Sequence, residues 1–463
     1  MKINFSRPIT LLVLLPLVLS LSGLGCKGGD KTAQEQLAKP VKLEWWRVED
    51  ERDNVAQLID DYKALHPNTT VNYRKLRPEE FEQVTLEALA SGTGPDILSL
   101  PNSYLRAWQE RLAPLPPTLT LPVIEMSGLI KKAPTAVMKT SPTLGIAGLR
   151  NNFVDVVAED ALISGQIYGL PLSLDTLLLY YNRDMLNSAE MPVPPSTWTD
   201  FKEASQKLTR IDKQGLLLQN GAALGETDNI PYADHLLAAL MLQNGTPMLS
   251  GDGGRATFDQ KVRVGNEEYA PGADALRFYT DFANPTKETY TWSRDNKSAV
   301  EALASGKLAF LFSYWRDLAT LRSSAPRINL GIANFPQIDQ APRNIYYASY
   351  YLETVTKQGT HQTEAWDFIQ FITSPAEALK YLQKAKRPTA LRQYVKTQLD
   401  DLELAIPAKQ VLAAKSWYHG FKPKAAQDAF LSMIRQVNGG NEVESALSFG
   451  VGLVNQTLVK LKP

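Results

Sequence analysis

The chain has 463 residues, with 49 basic and 49 acidic side chains and a single cysteine. This balance offers no electrostatic basis for nucleic-acid binding, which depends on clustered Lys and Arg. One cysteine cannot form an intramolecular disulfide, and the length is too great for one hydrophobic core, so we expect two lobes stabilised by packing.

The N-terminal segment has the pattern of a bacterial export signal. Lys2 and Arg7 precede an apolar run over residues 9–24. Small residues close this run just before Cys26. We expect residues 1–25 to be a signal peptide and Cys26 to be the site of lipid attachment. The protein would then be extracytoplasmic and anchored to the cell membrane, on its periplasmic or cell-surface side.

Two alternatives for this segment are an ordinary cleaved signal peptide and a membrane-spanning helix. The apolar run is interrupted by Pro16 and is short for a span, which needs about 20 residues. Residues 26–39 are polar and contain no aromatic side chain, a composition typical of a flexible tether.

Strand and helix patterns alternate from residue 41 onward. Residues 41–46, 71–76 and 96–100 have the composition of strands, while apolar residues recur at helical spacing over 55–65 and 81–88. The order β-α-β-α-β predicts the start of a parallel, doubly wound sheet. Ligands bind beyond the carboxyl ends of strands in such sheets, which draws attention to Trp46 and Arg47 after the first strand and to Ser103 after the third.

The middle and the last third of the chain extend the α/β pattern. Two apolar extended runs meet at residues 173–175 without a turn signal, and a strand over 308–314 leads directly to Trp315 and Arg316. Amphipathic helices are predicted around 365–372, 426–437 and 443–458.

Four segments in this order resemble the family 1 extracellular solute-binding proteins, the substrate-capturing lipoproteins of ABC importers for sugars. They are residues 90–97 (ASGTGPDI), 167–182 with the following PSTW of 195–198, 304–311 (ASGKLAFL) and 364–373 (EAWDFIQFIT). Together they extend over most of the chain after residue 89.

The resemblance implies an α/β fold of the type II periplasmic-binding-protein class. Each lobe would be a mostly parallel sheet flanked by helices, with crossing hinge strands between the lobes. We expect lobe 1 to comprise 40–174 plus 350–388, and lobe 2 to comprise 175–349 plus 389–463. Solute would be captured in the cleft by hinge closure.

A sugar site needs aromatic platforms and a few well-placed donors and acceptors. By matching motif positions, the resemblance implies that Trp315 stacks on sugar, that Asp175 accepts solute hydroxyls, and that Tyr350 and Arg387 face the cleft. The predicted ligand-binding residues, most of which lie at element ends or on crossovers, are Trp46, Arg47, Ser103, Asp175, Tyr232, Trp315, Arg316, Tyr350, Arg387 and Trp417.

The expected function is a non-enzymatic, monomeric receptor that captures a mono- or oligosaccharide and delivers it to ABC permease subunits, with no cofactor and no metal. A lipid-anchored glycoside hydrolase is one alternative, since it needs only two opposed carboxylates. A ferric-iron binder is another, because paired tyrosines occur at 180–181, 346–347 and 350–351. Against iron, neighbouring residues on a strand point to opposite faces.

Overall fold

The computed structural model describes residues 30–48, 50–127 and 132–460. They form a large unit, which comprises 39–48, 50–121 and 139–460, and a small unit, which comprises 30–38, 122–127 and 132–138. The predicted signal peptide and Cys26 lie outside the described residues. Within those ranges no helix is long and apolar enough to cross a bilayer.

The α-helices of the described chain, in order, are α1 (Lys31–Leu37), α2 (Arg52–Leu65), α3 (Phe81–Ala90), α4 (Leu105–Trp108), α5 (Gly145–Asn152), α6 (Asp155–Ala161), α7 (Arg183–Ser188), α8 (Trp198–Leu208), α9 (Ala233–Gln243), α10 (Pro271–Asp281), α11 (Ala299–Ala304), α12 (Leu318–Ser324), α13 (Gln362–Ile372), α14 (Pro375–Ala385), α15 (Arg392–Leu399), α16 (Ala405–Val411), α17 (Pro423–Asn438) and α18 (Val443–Leu458). Short 3-10 helices occupy Asn102–Tyr104, Gln109–Arg111 and Trp315–Asp317.

The strands, in the same order, are β1 (Val41–Val48), β2 (Thr69–Leu76), β3 (Ile97–Pro101), β4 (Leu112–Ala113), β5 (Thr118–Ser127), β6 (Ala133–Pro142), β7 (Leu162–Ile163), β8 (Gln166–Ile167), β9 (Leu177–Asn182), β10 (Arg210–Ile211), β11 (Leu217–Ala222), β12 (Val262–Val264), β13 (Glu267–Tyr269), β14 (Leu308–Tyr314), β15 (Leu330–Asn334), β16 (Tyr346–Tyr347), β17 (Tyr351–Thr356) and β18 (Ala414–Lys415).

Two five-stranded sheets organise the large unit. The first has the order β2-β1-β3-β17-β4 and the second β10-β11-β14-β9-β15. The predicted β-α-β-α-β start is present, since β1 lies between β2 and β3 and is parallel to both. Helix α2 buries the apolar face predicted from its periodicity, with Val55, Leu58, Ile59 and Tyr62 inside, and ends at His66 before Pro67.

The sheets are mixed rather than mostly parallel, which corrects that detail of the predicted fold. In the first sheet β17 is antiparallel to β3 and β4, and in the second β9 is antiparallel to β14 and β15. Both β9 and β17 begin directly after a crossing segment. They therefore run away from the crossing, whereas β3 and β14 run toward it.

Each sheet has its own apolar core. The first core includes Leu43, Trp45, Leu98 and Leu352 and extends past residue 388 through Ala390, Leu391 and Val395. The second core, centred on strands β9 and β14, includes Leu179, Phe310, Phe312 and, from the last helices, Phe430 and Leu447. The chain passes from the first core to the second between Leu174 and Leu177.

The segments that run between the two cores are hydrogen-bonded to one another. The Leu174 N–H donates to the carbonyl of Pro388 over 3.1 Å, and the Ser349 N–H donates to the carbonyl of Asp175 over 3.0 Å. Thr176 also forms an isolated antiparallel bridge with Ala348. Three stretches distant in sequence thus lie side by side.

The small unit contains α1 and the outer parts of β5 and β6. The side chain of Asp30 caps α1 by accepting from the Thr32 N–H, and the Asp30 N–H donates to the carbonyl of Ala136 over 3.0 Å. Residues 26–39 are therefore not a flexible tether throughout: Lys31–Leu37 are helical, with Ala33 buried. Composition alone did not reveal this cap or this long-range backbone bond.

Candidate functional site

We use the name main cavity for the cavity of about 180 Å³ that lies where both cores, a crossing segment and the C-terminal segment meet. Larger cavities, of about 670 and 500 Å³, lie elsewhere. The 3-10 helix after β3, the first turn of α9, the stretch after β16 and the start of α17 all contribute side chains. The lining residues are Pro101, Asn102, Ser103, Tyr104, Asp234, His235, Tyr347, Ala348, Ser349, Ser416, Trp417, Tyr418, Pro423, Ala426, Gln427 and Phe430.

Aromatic rings and polar groups alternate around this cavity. Trp417 packs against Phe430 and meets Tyr418 edge to face, so its indole is held in one orientation. His235 shares a 2.7 Å hydrogen bond between Nδ1 and the hydroxyl of Tyr314. Burial lowers the pKa of His235, although the nearby Asp234 carboxylate opposes this shift. The lowered pKa favours a neutral imidazole at this position.

A buried carboxylate adjoins the main cavity. Asp160 of α6 accepts hydrogen bonds from Asn102 Nδ2 at 2.9 Å, from Tyr350 Oη at 2.7 Å and from the hydroxyl of Ser416. It also bonds His419 Nε2 at 2.8 Å. We call Asp160, Asn102, Tyr350, Ser416 and His419 the Asp160 cluster.

The Asp160 cluster shifts the titration of its two charged members. Burial opposes ionisation of Asp160, but hydrogen bonds led by that from His419 outweigh it, so the pKa of Asp160 lies below its usual value. Burial also opposes charging of His419, yet the bond to Asp160 raises the pKa of its imidazole. The cluster therefore favours an ion pair between carboxylate and imidazolium.

A second cavity, of about 30 Å³, lies on the other side of the crossing segment that carries Ser349. It has room for about one water molecule, at about 30 Å³ each. The residues around it are Arg47, Val48, Asp50, Ser173, Asp175, Arg316, Ser349, Tyr350, Tyr351, Arg387 and Pro388. Ser349 lines both cavities, so the crossing segment separates them.

Asp175 links the crossing segment to the end of β14. Its carboxylate accepts from the backbone N–H groups of Trp315 at 3.0 Å and Arg316 at 2.9 Å. Burial raises the pKa of Asp175, although Arg316 and these N–H groups oppose the shift. The Arg316 guanidinium donates to the carbonyl of Ser349 at 2.9 Å and lies 4.0 Å above the ring of Tyr314.

Arg47 is held in a buried charge network. Its guanidinium lies 2.9 Å from Asp50 and 3.1 Å from Glu353. Asp50 is also 3.4 Å from Arg387 and accepts from the hydroxyl of Tyr381 at 2.9 Å. Burial opposes ionisation of Asp50, but Arg47 and Arg387 outweigh it and lower its pKa. The arginines around the small cavity therefore face carboxylates.

The family model described as bacterial extracellular solute-binding protein matches residues 57–402. The chain belongs to this family. The predicted membership of the extracellular solute-binding proteins is thereby confirmed, and so is the extracytoplasmic location.

Relatives and solved structures agree with this membership. A galactooligosaccharide-binding protein from Bacillus subtilis is 20% identical over 376 residues, which cover 81% of this chain and 78% of the relative.

Two solved structures have the same fold at low sequence identity. One is an ABC substrate-binding protein from Listeria monocytogenes in complex with cycloalternan, at a TM-score of 0.68 and 15% identity, covering 90% of this chain and 99% of the other. The other is the cyclic alpha-maltosyl-1,6-maltose binding protein from Arthrobacter globiformis, at a TM-score of 0.68 and 17% identity, with the same coverage of 90% and 99%. The predicted two-lobed α/β fold is confirmed.

The structure brings seven of the ten predicted site residues to the two cavities. Ser103 and Trp417 line the main cavity. Those at the small cavity are Arg47, Asp175, Arg316, Tyr350 and Arg387. Their roles in ligand binding stay predictions.

The other three predicted residues are not among the lining of either cavity. Trp46 is buried in the first core, with the guanidinium of Arg74 4.3 Å from its ring centre. Trp315 is buried as well, and its indole N–H donates to the carbonyl of Lys386 at 2.6 Å. Tyr232 meets the ring of Tyr314 edge to face at 4.7 Å. Their roles in solute binding likewise stay predictions.

Several residues at the cavities were missed by sequence reasoning. Asp234, His235, Tyr347 and Gln427 line the main cavity, and Asp160 supports it from behind. Asp234 and His235 open a helix, the kind of position that singled out Tyr232 beside them, so this signal was available. Nothing local in the sequence distinguishes Asp160 from other acidic residues on amphipathic helices.

Proposed function

We propose that this protein captures a carbohydrate in the main cavity and delivers it to the membrane subunits of an ABC importer. The observation that carries the proposal is the lining of that cavity: the rings of Tyr347 and Trp417 lie beside Asn102, Asp234 and Ser349. Apolar faces and hydrogen-bonding groups are the two features that a sugar presents, and the cavity offers both.

The named relatives support the same ligand class. The B. subtilis relative is a galactooligosaccharide-binding protein, and the two solved structures concern cycloalternan and cyclic alpha-maltosyl-1,6-maltose binding. The main cavity, at about 180 Å³, has the volume of about six water molecules at about 30 Å³ each. We infer that an oligosaccharide would require the lobes to separate further.

Hinge motion about the hydrogen-bonded crossing segments would provide that opening. In this proposal lobe 1 comprises 40–174 plus 350–388 and lobe 2 comprises 175–349 plus 389–463. The two separate apolar cores support the boundary between Leu174 and Leu177, whereas Ala390, Leu391 and Val395 pack in the first core and favour a last boundary after residue 395. The receptor would act as a monomer, without enzymatic turnover, and would be anchored by lipid on Cys26.

A thermal-shift screen of the chain that begins at Cys26 tests the ligand class. A sugar present at about 100 times its dissociation constant should add about 2.7 kcal/mol to the free energy of unfolding. The panel includes mono- and oligosaccharides, amino acids, polyamines and ferric ion. A stabilising sugar that is recovered intact supports the proposal, whereas a sugar that is consumed favours the hydrolase. No shift with any carbohydrate contradicts the proposal.

Variants locate the binding. Trp417→Leu removes an aromatic face from the main cavity and should weaken sugar binding at least tenfold, a loss of about 1.4 kcal/mol. Leu402→Ala is the control, because Leu402 is almost fully exposed and is not among the cavity-lining residues. Equal affinity of the two variants would place the site elsewhere.

A further inference from the structure

The small unit presents an apolar pair that no core covers. Ile124 and Met126 are two residues apart on β5, so their side chains leave the same face of the strand. Their exposed fractions are 57% and 60%. At the N-terminal end of β5 the same face carries Thr118 and Thr120, both polar. The face therefore changes from polar to apolar toward the end of β5.

The length of chain between Cys26 and the small unit is short. Asp30 is four residues from Cys26, a separation of at most about 14 Å when fully extended. The Asp30 N–H donates to the carbonyl of Ala136 on β6, so the first described residue is fixed to the hairpin. A lipid on Cys26 would hold β6 close to the surface of the bilayer.

The apolar pair lies at the same level of the hairpin as this attachment. The hydroxyls of Ser127 on β5 and Thr135 on β6 are 2.6 Å apart, which places the two residues opposite each other. Met126 adjoins Ser127 and Ala136 adjoins Thr135. At about 3.3 Å per residue along a strand, Met126 is within about 10 Å of the carbonyl that binds Asp30.

We propose that the face of β5 bearing Ile124 and Met126 lies against the lipid bilayer and forms a second membrane contact beside the lipid on Cys26. An apolar face buried in the membrane interface adds to the membrane affinity that lipid on Cys26 would supply. Lys132, exposed immediately before β6, would meet anionic headgroups. This inference rests on the proposed lipid attachment. The partner proposed for this face of β5 is the bilayer rather than the permease.

A single-cysteine label tests the contact. Cys26 is the only cysteine in the chain, so once its sulfur carries lipid, Met126→Cys introduces the only free thiol. The lipidated protein is labelled there with a polarity-sensitive fluorophore and reconstituted into vesicles of phosphatidylethanolamine and phosphatidylglycerol. Brominated acyl chains should quench the emission about twofold, because an interfacial side chain lies about 5–10 Å within the headgroup boundary.

Glu125→Cys is the matched control, because Glu125 is an exposed neighbour on the opposite face of β5. Its label should be quenched clearly less than the label at 126. Equal quenching at both positions, or none at 126, overturns the proposal. So does quenching at 126 that appears only when permease is added.

The mass of the N-terminal peptide reports lipid on Cys26 independently. A lipidated peptide without quenching at 126 refutes only the second contact, whereas an unmodified Cys26 refutes the anchor and this inference together. Solute binding, measured separately by thermal shift, is unaffected by either result.

Discussion

Replacing Asp160 with alanine removes an acceptor shared by four side chains. Two of the donors, Asn102 Nδ2 and Tyr350 Oη, belong to buried residues and would lose their bond to Asp160. A buried polar group without a partner costs about 1–3 kcal/mol. Ser416 is half-buried and the side chain of His419 is 40% exposed, so water can replace their bonds. Tyr350 Oη can still donate to the carbonyl of Val156 at 3.4 Å, so only Asn102 Nδ2 is left without a partner. We expect Asp160→Ala to lower the free energy of unfolding by about 1–3 kcal/mol.

The measurement is urea unfolding of the ligand-free protein at neutral pH, followed by tryptophan fluorescence. Asp160→Asn keeps the shape and one acceptor oxygen and should lose less than the alanine variant. Glu159→Ala is the control, because Glu159 is an exposed neighbour whose ion pair with Lys415 is worth about 0–1 kcal/mol. If Asp160→Ala costs no more than Glu159→Ala, the Asp160 cluster does not stabilise the fold as argued.

Three further predictions concern stability. The raised pKa of His419 means that its bond to Asp160 stabilises the fold fully below pH 6.5 and is lost as pH rises through the folded-state pKa. The lowered pKa of Asp160 keeps its carboxylate charged down to about pH 4, so the stabilisation extends to that pH. The loss of unfolding free energy caused by His419→Gln, measured in urea, should therefore shrink as pH rises above 6.5. Glu353→Gln disrupts a fully buried ion pair with Arg47 and should cost about 3–5 kcal/mol in the same assay. Gly272→Ala would put Cβ 2.0 Å from a backbone carbonyl oxygen and should cost about 1–3 kcal/mol in thermal melts, whereas Gly251→Ala meets nothing within 4 Å and should stay within about 0.5 kcal/mol of the original.

Controls separate these effects from general damage. Glu44→Gln, at a partly exposed side chain on β1, should lose under about 1 kcal/mol. A pH-independent deficit for His419→Gln would contradict the ion pair. A loss at Glu353 no larger than at Glu44 would contradict the buried network.

Local patterns in the sequence predicted most of the elements that form each sheet. The strand predicted over 308–314 has the same bounds as β14, and the helix predicted around 365–372 lies within α13. Such features depend on neighbours a few residues apart. The placement of β17 between β3 and β4 depends on pairs far apart in sequence, and periodicity carries no information about them.

The candidate site shows the same contrast between features that depend on local sequence and features that depend on contacts far apart in sequence. Arg316 was found because it follows the end of a predicted strand, and Asp175 because the family resemblance assigns it to a crossing segment. The partners that hold them, Ser349 and the N–H of Trp315, come from other parts of the chain. The burial of Trp315 was not apparent from its sequence position, since its indole is fixed by the carbonyl of Lys386.

The position of β17 also governs the order in which the lobes can form. Ser99 on β3 and Glu353 on β17 are hydrogen-bonded partners 254 positions apart, and Trp45 on β1 reaches the same carboxylate across 308 positions. A chain that emerges N-terminus first must therefore release residues 175–347 before its first sheet can acquire this strand. Until then one edge of β3 has no partner strand, and Trp45 and Ser99 lack the carboxylate to which they donate. Completion of the first sheet is thus timed by the arrival of residue 356 rather than by the arrival of its own N-terminal strands.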